Sequence, residues 1–253
     1  MDEPFVTLLA QRMTVAGLSD VGLRRSHNED GFGIRDDLGL ILVADGMGGH
    51  GDGAQASAMA IKEIFRFIED CTLGQPSTPN IRSIIQSAVE GANKAIYEIN
   101  RERQREDGAG MGTTVVGMWV LEDSDRCAVF NVGDSRLYRI RQGVCAQMTR
   151  DHSAYQAWID DGRSGAEPRK NIIMRALGPV PHVTADIRIE ELMNDDIFLL
   201  CSDGLTGMVD DRLIADTLST HANPESACRR LVDLANENGG VDNITAVVAR
   251  WRG

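Results

Sequence analysis

Three apolar runs of strand length each end in an acidic turn: Leu40–Ala44 before Asp45-Gly46, Cys127–Val132 before Gly133-Asp134, and Ile197–Ser202 before Asp203-Gly204. A fourth acidic turn, Asp242-Asn243, immediately precedes the run Ile244–Ala249. If that last strand runs antiparallel to its neighbours, its start lies beside their ends, and all four carboxylates converge on one edge. A fifth acidic pair, Glu29-Asp30, lies upstream in the run Arg25–Asp30. One Asp-Gly after an apolar run is ordinarily only a turn. Several on one edge repel one another, raise their own pKa values and destabilise the fold unless cations neutralise them. Oxygen-only ligation suits magnesium or manganese. Zinc is disfavoured, because no His/Cys cluster accompanies the acids, and no D-x-D-x-D-G loop for calcium occurs.

The surrounding pattern mixes strands and helices in one continuous domain, residues 1–253. Apolar residues at three- and four-residue spacing predict a helix over 54–69 and a longer one over 81–99. A proline-containing loop, 72–80, joins them, and a polar tail, Arg101–Gly110, follows. From Gly112 the period becomes that of strands: Thr113–Leu121, Arg126–Val132, Ser135–Arg141 and Val144–Met148 read as a meander. A short helix over Tyr155–Asp161 and a Gly/Arg-rich loop over Gly162–Lys170 precede strands at Val183–Glu190 and Ile197–Cys201. Helices over Asp210–Thr220 and Pro224–Asn238 and a strand over Asn243–Trp251 complete the chain. Runs of strands with segregated helices predict an α+β layered fold, a β-sandwich with helix pairs packed outside.

Composition excludes several function classes. The net charge of −12 repels nucleic acid and anionic membrane. No apolar stretch approaches the ~20 residues that span a bilayer. The first residues lack the basic region and cleavage site of a secretory signal, so a cytoplasmic protein is expected. Five widely spaced cysteines without a CxxC pair read as buried small hydrophobes in a reducing compartment.

Eight motifs occur in order: Arg25-x-x-Asn-Glu-Asp30, Val43-Ala-Asp-Gly-Met-Gly-Gly49, Gly112-Thr-Thr114, Asn131-Val-Gly-Asp-Ser-Arg136, Thr149-Arg-Asp-His152, Arg175-Ala-Leu-Gly178, Cys201-Ser-Asp-Gly204 and Asp242-Asn243. Together they resemble the type 2C family of metal-dependent protein phosphatases, in its bacterial branch, from about residue 16 to 250. The resemblance implies a four-layer α-β-β-α sandwich, two antiparallel sheets flanked by helix pairs. It implies two or three Mn2+ or Mg2+ ions. Asp45 would bridge two of them, with the Gly46 carbonyl on one, and Asp203 and Asp242 would complete the first site. Glu29 would lie close to the second site and Asp30 would hold coordinated water. Asp134 with Asp203 would form a weaker third site, and Arg25 would bind the substrate phosphate.

The chemistry follows from those residue types. Paired divalent cations lower the pKa of a bound water, and the resulting hydroxide attacks phosphorus in line. A guanidinium such as Arg25 donates two parallel hydrogen bonds to phosphate oxygens and keeps its charge. No cysteine sits in a C-x5-R phosphate loop, which favours direct hydrolysis of phosphoserine and phosphothreonine monoesters. The general acid has no obvious holder: some eukaryotic members carry a histidine where this chain has Met47, and His50, three residues on, is a minor candidate. His152 is expected to orient a loop and His27 to shape the first motif; His182 and His221 read as surface. The segment 153–171 corresponds to a flap beside the active site, a few residues shorter than usual. The expected partner is a phosphorylated protein, the product of a Ser/Thr kinase in bacterial signalling, acted on by a monomer. Two rival readings remain: a catalytically silent binding protein of this fold, and a hydrolase of small phosphoesters.

Overall fold

Alternation along each strand sorts side chains between layers, and that sorting builds two sheets around three apolar interiors. The computed structural model describes residues 5–9, 12–48, 51–72, 80–121 and 124–252. Gly49, His50 and the 72–80 loop apart from its two ends lie outside the described residues.

The chain forms β1 (Phe5–Leu9), β2 (Met13–Asp20), β3 (Asp30–Arg35), β4 (Leu40–Met47), α1 (Asp52–Thr72), α2 (Ile81–Glu102), β5 (Gly112–Thr113) and β6 (Val115–Val120). There follow β7 (Arg126–Val132), β8 (Arg136–Arg141), β9 (Val144–Gln147), α3 (Ala154–Asp160), β10 (Asp186–Glu191) and β11 (Ile197–Cys201). The last elements are α4 (Asp203–Thr206), α5 (Asp211–Thr220), α6 (Pro224–Glu237) and β12 (Ile244–Trp251). One sheet has the order β1-β2-β12-β11-β8-β9, the other β10-β7-β6-β4-β3, with β5 also pairing β4. Every pairing is antiparallel.

Helices α1 and α2 cover the second sheet, where Ala56, Ala60, Ile64 and Ile68 meet Leu40, Leu42, Ala128 and Phe130. Helices α5 and α6 cover the first, where Ile214, Leu218, Leu231 and Ala235 meet Leu199, Ala246 and Val248. Between the sheets lie Ile41, Val43, Val116, Met118, Val129, Phe198, Leu200, Val247 and Trp251. This is the four-layer α-β-β-α sandwich that the motifs imply. Helix starts are set by side-chain caps: Asn80, Ser153, Asp210 and Asn223 each accept a backbone N–H of the first turn.

The strands differ from a reading of the sequence in these respects. The run at residue 40 is the fourth strand, since β1, β2 and β3 precede it. Strand β3 is DGFGIR and carries no apolar run, because Gly31 and Gly33 lie under α1; a Cβ on Gly33 would meet the Phe65 ring at 2.5 Å. The meander over 113–148 is split: β6 and β7 belong to one sheet and β8 and β9 to the other, so the Gly133-Asp134 turn crosses between layers. Finally, β4 does not stop at Ala44 but continues through Asp45 and Gly46 to Met47.

Candidate active site

The site follows from the same alternation. On β4, Ile41 and Val43 face the other sheet, and Asp45 continues that face two residues later. On β3, Phe32 and Ile34 pack toward the same interior, and Asp30 shares their parity. Asp30 and Asp45 stand directly opposite each other in the ladder. From the facing sheet come Ser202, in step with Phe198 and Leu200, and Thr245, in step with Val247 and Ala249. The interior between the sheets is thus apolar along most of its length and turns acidic and hydroxylic at one end.

Asp30 bridges the layers there. Its Oδ2 accepts the Ser202 hydroxyl and the Thr245 hydroxyl, each at 2.7 Å. Asp203 opens α4 one residue beyond Ser202. Asp242 precedes β12, which runs antiparallel to β11, so its start meets the end of β11. The backbones are in close contact: a Cβ on Gly204 would lie 1.9 Å from the Asn243 carbonyl oxygen. Gly46 is equally confined, since a Cβ there would lie 2.1 Å from the Gly53 carbonyl and 2.5 Å from that of Glu29. Only glycine fits where these segments cross.

Electrostatics identify what the cluster lacks. Burial, opposed by the Ser202 and Thr245 hydrogen bonds and reinforced by Asp203 and Asp242, pushes the Asp30 carboxyl up to about 7. Burial and the charges of Asp30, Asp203 and Asp134 raise Asp45 well above the usual carboxylate range. Asp203 is raised by burial and by Asp242, with the neighbouring Asp45 carboxyl opposing the shift. Asp134 is pushed up to about 7 by burial and by Asp203 and Asp151. Its Oδ1 is buried with no hydrogen-bond partner. Among the described residues, no three His, Cys, Asp or Glu side chains meet at one point closely enough to hold an ion unaided. The fit to hard divalent cations rests on four mutually repelling carboxyls, a bare Asp134 oxygen and a donor set made only of oxygen.

The remaining expected residues fall around this cluster. Arg25 is exposed, and its Nη2 donates to Asp242 Oδ2 at 2.7 Å, so it holds a carboxylate here. Glu29 lies at the start of α1, where its Oε1 accepts the Gly51 N–H at 3.2 Å, and a Cβ on Gly53 would stand 2.7 Å from both its Oε2 and the Gly46 carbonyl carbon. His27 is exposed and its Nδ1 lies 2.9 Å from the Ser26 hydroxyl. Away from the cluster, His221, read as surface, is partly buried with Nδ1 2.9 Å from the Thr217 carbonyl, and its own carbonyl accepts Arg250 Nη2 at 2.7 Å.

Two residues matter beyond those expectations, Asn243 and Thr114, while His152 orients a loop as expected. Asn243 is buried; its Oδ1 accepts the Glu29 N–H, and its Nδ2 donates to the carbonyls of Val21 and His27, all at 2.9 Å. It ties the first motif to the last. Thr114 donates no charge but its Oγ1 accepts the Asp45 N–H at 3.0 Å and meets Ser135 Oγ at 2.7 Å. His152 clamps the Asp134 turn: its N–H donates to the Gly133 carbonyl at 2.9 Å, and its Nδ1 accepts the Gly133 N–H at 3.0 Å. Its Nε2 lies 3.0 Å from Arg175 Nη1 and 3.3 Å from Asp186 Oδ2, and burial holds the imidazole below its ordinary pKa. Each of the three stands inside a motif, and that position was the only signal available in the sequence.

Comparison with known proteins agrees with this geometry. The family model described as protein phosphatase 2C matches residues 24–245. A serine/threonine phosphatase, stp, of Listeria monocytogenes is 34% identical over 241 residues, covering 91% of this chain and 92% of its own length. The solved catalytic domain of the serine/threonine protein phosphatase PstP, described in complex with two manganese ions, is 34% identical with a TM-score of 0.82, over 96% of this chain and 99% of that one. PppA of Pseudomonas aeruginosa, described as a key regulatory component of T6SS, is 32% identical with a TM-score of 0.84, over 95% and 98%.

Proposed function

The chain belongs to the protein phosphatase 2C family, and from that premise we propose that its carboxylate cluster binds divalent metal ions for the hydrolysis of phosphoserine and phosphothreonine in proteins. The protein is a metal-dependent serine/threonine phosphatase using Mn2+ or Mg2+. The observation that carries the reading is the mutual repulsion of Asp30, Asp45, Asp134 and Asp203 in one cluster. Asp45, the Gly46 carbonyl, Asp203 and Asp242 would hold the principal ions. Asp134 with Asp203 would hold a third, and Asp30 would fix water in the coordination shell. When bound, the ions neutralise these carboxylates and supply an acidified water as nucleophile.

The protein's own part is orientation. Asp30 is fixed by Ser202 and Thr245, and Thr114 fixes the backbone of Asp45. Asp134 is fixed through His152 and Gly133. Glu29, whose carboxylate steadies the start of α1 beside Gly46, would lie close to the second ion. Arg25 holds Asp242 here, and with that carboxylate on a cation its guanidinium would be available to grip the substrate phosphate. A thiolate route is disfavoured, because burial pushes the thiols of Cys127, Cys201 and Cys228 up to about 12.

We place the enzyme in the cytoplasm as a monomer, acting on the product of a Ser/Thr kinase, with residues 153–171 as a flap beside the site. The acidic surface supports this, since it disfavours nucleic acid and anionic lipid. No helix among the described residues is long and apolar enough to cross a membrane. The test is manganese-dependent turnover of a phosphothreonine peptide against nucleotide and sugar phosphates. Preference for the peptide supports the reading. Turnover of the small esters alone favours the rival hydrolase, and no turnover favours a silent binding protein.

A further inference from the structure

The loop carrying Arg25 and the loop carrying Asp242 are bonded into one piece. The N–H groups of Leu23 and Arg24 both donate to the Gly240 carbonyl, at 2.7 and 3.2 Å. Asn243 Nδ2 donates to the Val21 carbonyl at 2.9 Å. Gly22, at φ +77°, lies so close that a Cβ there would meet the Asp242 carbonyl oxygen at 2.1 Å. These contacts hold the loops together while leaving three aliphatic side chains in solvent: Val21, Leu23 and Val241 are 36%, 65% and 49% exposed. Leu23 leans over Gly240, its Cγ 2.9 Å from where a Cβ would stand, and Val241 is the next residue.

Single exposed aliphatics need no explanation. Three on one bonded pair of loops are a different matter, because the same loops carry Arg25, the cation assigned to the phosphate, and Asp242. A bare phosphate would make no use of them, whereas a peptide brings the side chains next to its phosphoresidue onto that ground. We propose that Val21, Leu23 and Val241 form an apolar shelf that receives an aliphatic side chain adjacent to the phosphoresidue of a protein substrate. The shelf is a specificity element, and it rests on the phosphatase reading above.

The test compares two phosphothreonine peptides, one flanked on both sides by leucine and one by serine, with manganese present. Covering part of a leucine is expected to favour the first by about tenfold in kcat/KM for the wild type. In the Leu23→Ser/Val241→Ser double variant the preference falls to about twofold or less, while turnover of the serine-flanked peptide is unchanged. Leu23→Ser alone gives an intermediate ratio and guards against misfolding of the double variant. Val144→Ser, at an aliphatic 67% exposed on β9, keeps the full preference. A wild type that does not discriminate, or single and double variants that keep the full preference, overturns the shelf while leaving the phosphatase reading intact. Absence of turnover on both peptides overturns that reading, and the shelf with it.

Discussion

Arg25 Nη2 donates to Asp242 Oδ2 at 2.7 Å, joining two residues 217 positions apart in the chain. Both are partly exposed, with side chains 51% and 33% accessible, so the pair is worth little as a stabilising contact. Its consequence is competition. On the proposed reading the guanidinium occupies a carboxylate that would otherwise hold a cation, and a cation there would free the guanidinium for phosphate.

That competition predicts opposite signs for two measurements on Arg25→Ala. Loss of the phosphate grip should lower kcat/KM on a phosphopeptide by about a hundredfold. Manganese binding, measured by calorimetry, should tighten by up to about fivefold, because removing an exposed ion pair releases at most about 1 kcal/mol. Arg25→Lys should recover part of the rate only, since an ammonium cannot make the paired hydrogen bonds of a guanidinium.

The raised carboxyls predict how the metal-free protein responds to pH. Asp30 and Asp134 titrate at about 7 when folded, against an ordinary value of 3.8. The folded state therefore binds more protons than the unfolded state between these values, and stability falls as pH rises through that window. Thermal melting of chelator-treated protein should show a lower Tm at pH 7.5 than at pH 5. Saturating manganese should remove or reverse that slope, because metal binding displaces the same protons.

Asp134 should separate stability from activity. Asp134→Asn removes a buried charge whose Oδ1 has no hydrogen-bond partner. The metal-free variant should melt about 2–4 °C higher, as expected for roughly 1 kcal/mol in a chain of this size. Its turnover should fall, with the loss concentrated at low manganese, where the weakest site empties first.

Asn243 should behave as the tie between the first and last motifs. Asn243→Ala leaves the Glu29 N–H and the Val21 and His27 carbonyls without their partner and should cost about 2–3 kcal/mol in urea unfolding. Asn243→Asp keeps the acceptor but loses both donors and adds a charge beside Asp242. It should be no better than alanine.

Much of the site was legible because acids interrupt apolar alternation. Asp45, Asp203 and Asp242 each sit where an otherwise buried run changes character, and antiparallel pairing of β11 with β12 brings two of them together. Strands β2 and β3 were not legible, because their faces are shared with glycines that make room for helices and rings: Gly17 under Phe32, and Gly33 under Phe65. The crossing of the chain between sheets at Gly133-Asp134 was hidden for a different reason. A tight turn within a sheet and a tight turn between sheets use the same residues. Long-range pairings such as Arg25 with Asp242 and Asn243 with Glu29 depend on both loops being placed, and no local pattern encodes them.

The central claim is that Asp45 and Asp203, brought together from different sheets, hold the metal ions that hydrolysis requires. Manganese binding by calorimetry and phosphothreonine-peptide turnover should be measured on Asp45→Asn and Asp203→Asn beside the wild type. The account predicts that each variant loses at least one binding event and about a hundredfold or more in rate, with the fold retained. Unchanged binding and unchanged turnover in either variant would contradict it.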